Sequence, residues 1–242
     1  MIEIATVYEY GEDNAIAIDL LKLWAHQISV YAPESRVTIY TASGLPGHLA
    51  DHIRRKIDCQ IIRQHPRPDL DLNIGLKLAS YAMHPRPFVG IDADAILFAP
   101  IADMEPVIPG DVCMALHGSI PGHTTHLTYD LPQGGVQLWQ RPHAIDIPRA
   151  ILLPKPDQCP GIEQPILLAA HRAGLYSLGL LAPEWNVWGG HDIVLKQHDG
   201  CRLSASFRDD GRPANIVHYW AESKSQLIVS MDALHAATGF RD

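Results

Sequence analysis

The chain lacks several of the patterns by which a sequence declares its class. Cysteine is scarce: Cys59, Cys113, Cys159 and Cys201 are widely spaced and form no C-x-x-C pair. That spacing builds neither a zinc site nor a disulfide framework, and the four read as small buried or half-buried thiols. No G-x-G-x-x-G and no G-x-x-x-x-G-K-[ST] occurs, which argues against dinucleotide and P-loop chemistry. There is no N-x-[ST] glycosylation acceptor. The most apolar stretch, Pro165 to Pro183, is interrupted by His171 and Arg172, so no integral membrane segment is expected. Met1-Ile2-Glu3-Ile4 opens into a strand without the basic region of a signal peptide, and the expected location is cytoplasmic. Positive charge is also in deficit, with 19 Lys and Arg against 27 Asp and Glu, a formal net charge of −8. Such a surface repels nucleic acid and anionic membranes. A phosphate-bearing substrate would need a locally positive site, supplied by a metal or a few placed cations.

What is present suits one α/β domain. The chain has 242 residues, 47% of them hydrophobic, enough for a core that needs no disulfide or structural metal. Residues 2–8, 36–40, 59–62 and 87–91 form short β-rich runs. Between them lie helical segments: Ala17, Leu20, Leu21, Trp24 and Ile28 recur at the spacing of a core-facing helix after a cap at Asp13 or Asn14, and residues 46–57 and 72–83 continue the pattern. This alternation predicts a mainly parallel central sheet with helices on both faces, a Rossmann-like architecture. After Pro100 the connections lengthen and fill with Pro, Gly and His. Strands are expected at 112–116, 135–138 and 216–219, helices at 161–173 and 232–237, and a Trp/Gly-rich loop at 184–190. No linker divides the chain, so residues 1–242 read as a single domain, with a nucleotide-binding half (1–100) and an acceptor-shaping half (101–242).

The chemistry concentrates in Phe88-Val89-Gly90-Ile91-Asp92-Ala93-Asp94-Ala95-Ile96-Leu97-Phe98. In open α/β sheets, ligands bind beyond the carboxyl ends of the strands. Asp92 and Asp94 stand at such an end, and Ala93 between them is small enough for a close turn. Two carboxylates with apolar flanks repel each other and are partly desolvated, a cost that a hard dication relieves. The plainer alternative is that one Asp caps the next turn and the other is solvated.

This segment resembles the Y-L-D-A-D-T-L-V-L strand end of GT-A-fold glycosyltransferases related to glycogenin and the bacterial lipopolysaccharide galactosyltransferases. Other islands follow in the family's order. Thr6, Val7 and Tyr8 stand where its first strand meets the nucleotide. Gly75-Leu76-Lys77 resembles the helix before its D-x-D strand. Gln133-Gly134-Gly135-Val136 resembles its N-S/A-G-V, Glu163-Gln164 its D-Q, and His218-Tyr219-Trp220-Ala221-Glu222-Ser223-Lys224 its H-Y-x-G-x-x-K. The resemblance implies that Asp92, Asp94 and His218 hold Mn2+ (or Mg2+). It implies that Lys224 neutralises a leaving diphosphate, and that Thr6, Val7, Tyr8, Ala93 and Lys77 line the nucleotide-sugar site. Lys77 otherwise lies on a solvated helix face. The implied partners are a nucleotide-diphosphate sugar donor, with uridine as the nucleoside, and a hydroxyl acceptor; the implied outcome is retention. Departures occur at Ala221, Gln133, Glu163 and Ser225-Gln226.

For catalysis the candidates are Gln164, Glu163 and Gln133. Gln164 is no strong base, but its amide oxygen can face an oxocarbenium-like centre. Glu163 is either a base or a helix-start carboxylate favoured by the helix dipole. His117, His123 and His126 read as loop histidines rather than a second metal site. Of Trp185 and Trp188, one anchors its loop in the core and one contacts sugar. Two rival functions are a sugar nucleotidyltransferase, disfavoured by the acidic Tyr8-Glu9-Tyr10-Gly11-Glu12, and a non-catalytic module that binds a sugar nucleotide or a glycan.

Overall fold

A computed structural model describes residues 2–9, 15–116, 132–154, 163–188, 193–198 and 202–219. The elements run β1 (Glu3–Val7), α1 (Ala15–Tyr31), β2 (Arg36–Thr41), α2 (Gly47–Arg54), β3 (Cys59–Arg63), α3 (Leu72–Met83), β4 (Phe88–Ile91), β5 (Ala95–Leu97), β6 (Pro106–Ile108), β7 (Val112–Leu116) and β8 (Pro132–Trp139). They continue as α4 (Ile147–Leu152), α5 (Glu163–Arg172), β9 (Leu178–Leu181), β10 (Val187–Trp188), β11 (Ile193–His198), β12 (Arg202–Phe207) and β13 (Ile216–His218). The main sheet has eight strands in the order β3-β2-β1-β4-β8-β7-β9-β6. It is parallel from β3 through β4 and between β7 and β9, and antiparallel where β8 pairs with β4 and β7 and where β6 pairs with β9.

The period-2 alternation of the strands divides the core between the two faces of this sheet. Ile4, Val37, Ile39, Val89, Ile91 and Cys113 point to one side, where they meet Leu20, Leu21, Trp24 and Ile28 of α1 and Leu49 and Ile53 of α2. Ala5, Tyr40, Phe88, Val112 and Met114 point to the other, against Leu78 and Tyr81 of α3, Ile147 and Ala150 of α4, and Ile166, Leu167 and Ala170 of α5. The predicted layering is therefore present. The α3 boundaries follow local chemistry: Asp71 accepts a hydrogen bond from the Asn73 N–H at the N-terminus, and His84, extended before Pro85, ends the helix.

The second half departs from the sequence reading in detail. The expected loop at 184–190 holds a 3-10 turn (Pro183–Trp185) and β10, which pairs in parallel with β13. β5, β6, β9, α4 and the antiparallel β11–β12 ribbon were not expected. The ribbon turns Leu203, Ala205 and Phe207, with Ile193 and Leu195 beside them, to the core, a face that becomes visible once it has a core to meet. The Tyr31 hydroxyl donates to the Leu203 carbonyl and ties it to α1. The expected helix at 232–237, the cap at Asp13 or Asn14, Cys159, Cys201 and the loop histidines lie outside the described residues. No helix among the described residues is long and apolar enough to cross a membrane.

Asp111 ties together three segments of the mixed half of the sheet. Its carboxylate accepts from the Ser177 N–H and hydroxyl, both at 2.8 Å, and pairs with Arg141, while its carbonyl accepts from the Gln140 and Arg141 N–H groups. Burial pushes the carboxyl up, but the two Ser177 hydrogen bonds and Arg141 outweigh it and hold it below the ordinary range. A depressed carboxyl stabilises the fold above its unfolded value and loses that contribution as pH falls through the folded one. Asp111→Asn should therefore cost about 1.5–3 kcal/mol at neutral pH, the scale of hydrogen bonds to a charged group. Urea unfolding at pH 7 and near pH 3 checks this: the gap between native and variant should narrow in acid.

Candidate functional site

Four segments converge at the carboxyl end of β4. Asp92 follows the strand directly; its N–H bonds the Gly135 carbonyl of β8, and its carbonyl accepts from the Ala95 N–H, closing the tight turn that sets Asp94 beside it. β5 then pairs antiparallel with β13, with Ala95 opposite His218. That register, secured by the Tyr219 N–H on the Asp94 carbonyl, delivers the imidazole to the carboxylates. His218 Nε2 lies 3.2 Å from Asp94 Oδ1 and 3.9 Å from Asp92 Oδ2.

The helix α3 supplies the cation. Lys77 and Tyr81 are one turn apart on one helix face, and Gly90 and Asp92 are two residues apart on one strand face. A Cβ on Gly90 would lie 2.6 Å from the Tyr81 ring, so its absence lets α3 settle onto β4. Lys77 thereby reaches Asp92 at 2.7 Å, Glu163 Oε1 at 3.0 Å and the Gly134 carbonyl at 2.8 Å. Only 6% exposed, Lys77 is not on a solvated helix face: that reading is corrected by the packing of its helix. Burial works against its charge, but Asp92 and Glu163 outweigh burial and hold the ammonium protonated. Lys77 in turn holds the Glu163 carboxyl below its ordinary range against the effect of burial. Burial pushes the Asp92 carboxyl up, against the pull of Lys77 and His218. For His218, burial disfavours the charged ring, but Asp94 raises its pKa overall.

The two glycines of β8 make room on either side. A Cβ on Gly134 would strike the Glu163 carboxylate, and one on Gly135 would strike the His218 ring. Between these groups and β1 lies a cavity of about 320 Å3. Its walls are Val7 of β1 with Tyr8 and Glu9 just after it, Ala17 and Leu20 from α1, the first turn of α3 and Lys77, the turn 92–94, and Glu163.

Oxygen and nitrogen atoms of Asp92, Asp94 and His218 lie within 4.8 Å of one another. Two carboxylates and an imidazole whose ring is seated where a Cβ on Gly135 would lie fit a divalent cation such as Mn2+. The charge balance agrees: among the described residues of the cavity wall, Lys77 is the one Lys or Arg facing Glu9, Asp92, Asp94 and Glu163.

Of the sequence candidates, Asp92, Ala93, Asp94, His218, Lys77, Glu163, Val7 and Tyr8 are brought together here. Thr6 is not: its side chain is fully buried within the sheet and lines no part of the cavity, which begins one residue later, at Val7. Gln133 is 7% exposed, with its Oε1 unpaired among the described residues. Gln164 sits beside Gly134, its Nε2 3.5 Å from where a Cβ there would lie. Trp185 is buried in the core, which is the anchoring role; Lys224 and the side chain of Trp188 lie outside the described residues. The sequence reading missed Glu9, although it is the first charged residue after the apolar strand, and missed the pairing of Lys77 with Glu163.

Two outcomes follow from this geometry. Lys77→Met should cost about 3–5 kcal/mol in urea unfolding, because it strands buried carboxylates without a partner. Gly135→Ala should leave the ligands in place chemically but displace the imidazole, weakening Mn2+ binding at least about tenfold in calorimetric titration.

No protein-family model matches the sequence, and no curated protein matches it. Solved structures are similar in fold. The galactosyltransferase LgtC, solved in complex with donor and acceptor sugar analogs, superposes with a TM-score of 0.59 at 12% identity, covering 97% of this chain and 95% of that one. The glycosyltransferase GlyE of Streptococcus pneumoniae gives 0.55 at 12% identity, over 91% of this chain and 55% of that one. Mouse xyloside xylosyltransferase 1 gives 0.50 at 11% identity, over 90% and 96%. The chain has the fold of the GT-A glycosyltransferases.

Proposed function

We propose that this protein is a metal-dependent glycosyltransferase that moves a hexose from a nucleotide-diphosphate sugar, with uridine as its nucleoside, to a hydroxyl acceptor with retention of configuration. The observation that carries the reading is the clustering of His218 with Asp92 and Asp94, two carboxylates that stand in the wall of the cavity at the carboxyl end of β4. Those three residues would hold Mn2+ or Mg2+. When bound, the cation would offset the negative charge that builds on a departing diphosphate.

The chain's own residues divide the remaining work. An acidic cavity repels a free diphosphate, so donor binding depends on the cation and on the few positive groups. Lys77 fixes Asp92 and Glu163 in one geometry, which reduces the reorganisation needed when donor arrives. Lys224 is the counter-charge for the leaving diphosphate, and Val7 and Tyr8 wall the nucleoside. Gln164, beside Gly134, offers an uncharged amide oxygen to a cationic sugar. Inversion needs a general base for the acceptor. Glu163 suits that task poorly because Lys77 already engages its carboxylate and lowers its basicity. Same-face attack, with the departing phosphate taking the acceptor proton, needs no such base and supports retention. Gln133 is an auxiliary polar group near the reacting sugar in this reading.

A thermal-shift series tests it. UDP should raise the melting temperature with Mn2+ and far less with chelator, and Asp94→Asn should abolish that difference while leaving the metal-free melting temperature nearly unchanged. Equal stabilisation with and without metal would overturn the proposal. With a UDP-α-hexose and a hydroxyl acceptor, proton NMR of fresh product should show the α-anomer.

A further inference from the structure

One buried polar side chain beside the site has no part in the reading above. Gln137 of β8 is 1% exposed and stands opposite Gly90, on the face of the sheet that meets α3. An amide there is costly unless both its ends are partnered, and both are. The Trp139 indole N–H donates to Gln137 Oε1 at 2.8 Å, and Gln137 Nε2 donates to the Gly134 carbonyl at 3.0 Å. An indole N–H can only donate, so it dictates which end of the amide faces it and leaves the amide N–H groups for Gly134. The indole is held in turn: its ring stacks on Phe88 at 5.8 Å and lies T-shaped to Tyr81 at 5.9 Å.

The Gly134 carbonyl needs such a hold. Met114 faces Gln137 across the β7–β8 ladder, whereas Leu116 faces Pro132, so two steps along β7 match five along β8. The surplus is a bulge over residues 133–136, an irregularity of the kind that re-aims groups beside a site. It carries both Gly134, which admits Glu163, and Gly135, which admits His218. Backbone in this bulge has lost the regular ladder to β7. The Gly134 carbonyl accepts instead from two side chains, Gln137 and, at 2.8 Å, the Lys77 ammonium. Its two lone pairs are then both taken.

We infer that Gln137 is a positioning residue for the site: it aims the Gly134 carbonyl at Lys77, and so sets the ammonium that fixes Asp92 and Glu163. The inference rests on the reading that this site binds a cation and a nucleoside diphosphate. Without the Gln137 donor the bulge peptide turns, the ammonium follows it, and Asp92 leaves its prepared position. A hydrogen bond lost in this way corresponds to about tenfold in affinity.

Gln137→Glu separates the donor from the packing. Protonated, the introduced carboxyl reproduces the amide: its carbonyl accepts from Trp139 and its hydroxyl donates to Gly134. Ionised, it only accepts. Lys77 and a protonated His218 favour the ionised form; burial, Asp92, Asp94 and Glu163 oppose it and place its pKa above the ordinary carboxyl range. The measurement is calorimetric titration with UDP in excess Mn2+ from about pH 5.5 to about pH 8, the span in which a raised carboxyl titrates. Native protein, Gln137→Glu, Gln137→Met and Phe88→Leu are compared, with metal-free melting temperatures alongside. The affinity of Gln137→Glu relative to native should be within about twofold at the acid end and fall about tenfold as the carboxyl ionises. Gln137→Met, which has neither polar atom, should show the loss of about tenfold at every pH. Phe88→Leu loosens the same aromatic packing but leaves the amide in place; it should melt lower yet keep UDP affinity within about twofold of native.

A Gln137→Glu ratio flat with pH, at unity or below it, overturns the inference, because a packing defect does not titrate. So does native affinity in Gln137→Met, or a loss in Phe88→Leu equal to that in Gln137→Met. Each of these leaves the glycosyltransferase reading standing. Failure of native protein to bind UDP at any pH overturns that reading, and this inference with it.

Discussion

The buried ammonium of Lys77 is the interaction on which the rest of the site depends. Asp92 and Glu163 come from opposite halves of the chain, and the Gly134 carbonyl from a third segment. Burying two carboxylates together is unfavourable unless a cation joins them, and a buried charge is tolerable only when paired. Lys77 meets both conditions with its three donors. Its hydrogen bonds go to Asp92, Glu163 and the Gly134 carbonyl, while Asp94 faces His218 instead. The clasp thus makes a cluster of buried acidic groups compatible with folding and leaves the site acidic.

Close approach is the second requirement, and three glycines meet it. Gly90 lets Tyr81 press α3 onto β4, which sets the height of Lys77 over Asp92. Gly134 admits Glu163 and Gly135 admits His218 on either side of one strand. None of the three is at a turn with positive φ. Each is needed because another side chain occupies the space of its Cβ, so alanine would move a functional group rather than strain the backbone. Among the described residues, Lys77, Glu163 and His218 are therefore set in place by packing against neighbouring strands and helices.

The first half of the fold was legible because local and global signals agree there. Alternating apolar residues, a 3.6-residue stripe from Ala17 to Ile28 and the Asp71 cap name their elements without reference to anything distant. The second half was harder for a physical reason. β9 and β10 are short, and the core-facing side of β11–β12 is defined by Ile193, Leu195, Leu203, Ala205 and Phe207 only once the ribbon is packed, so their identity depends on partners remote in sequence. The same distinction separates Asp92 and Asp94, evident at the end of an apolar strand, from Glu9, whose fixed place in the cavity wall appears only when Thr41, Ala42 and Ser43 are seen to hold it.

By itself, then, the sequence determined the class of fold, the strand that ends in paired carboxylates, and the acidic balance that makes a cation necessary for any phosphate ligand. Those are properties of composition and short-range pattern. Tertiary structure alone decided the use of Lys77, which pattern left between a solvated face and a ligand contact. It also buried Thr6 while placing Glu9 in the cavity wall, and it set His218 opposite Ala95 so that an imidazole 124 positions beyond Asp94 could share its site. Which side chains meet across such separations is settled by strand register and by the space that missing Cβ atoms leave, and neither is written in any local stretch of chain.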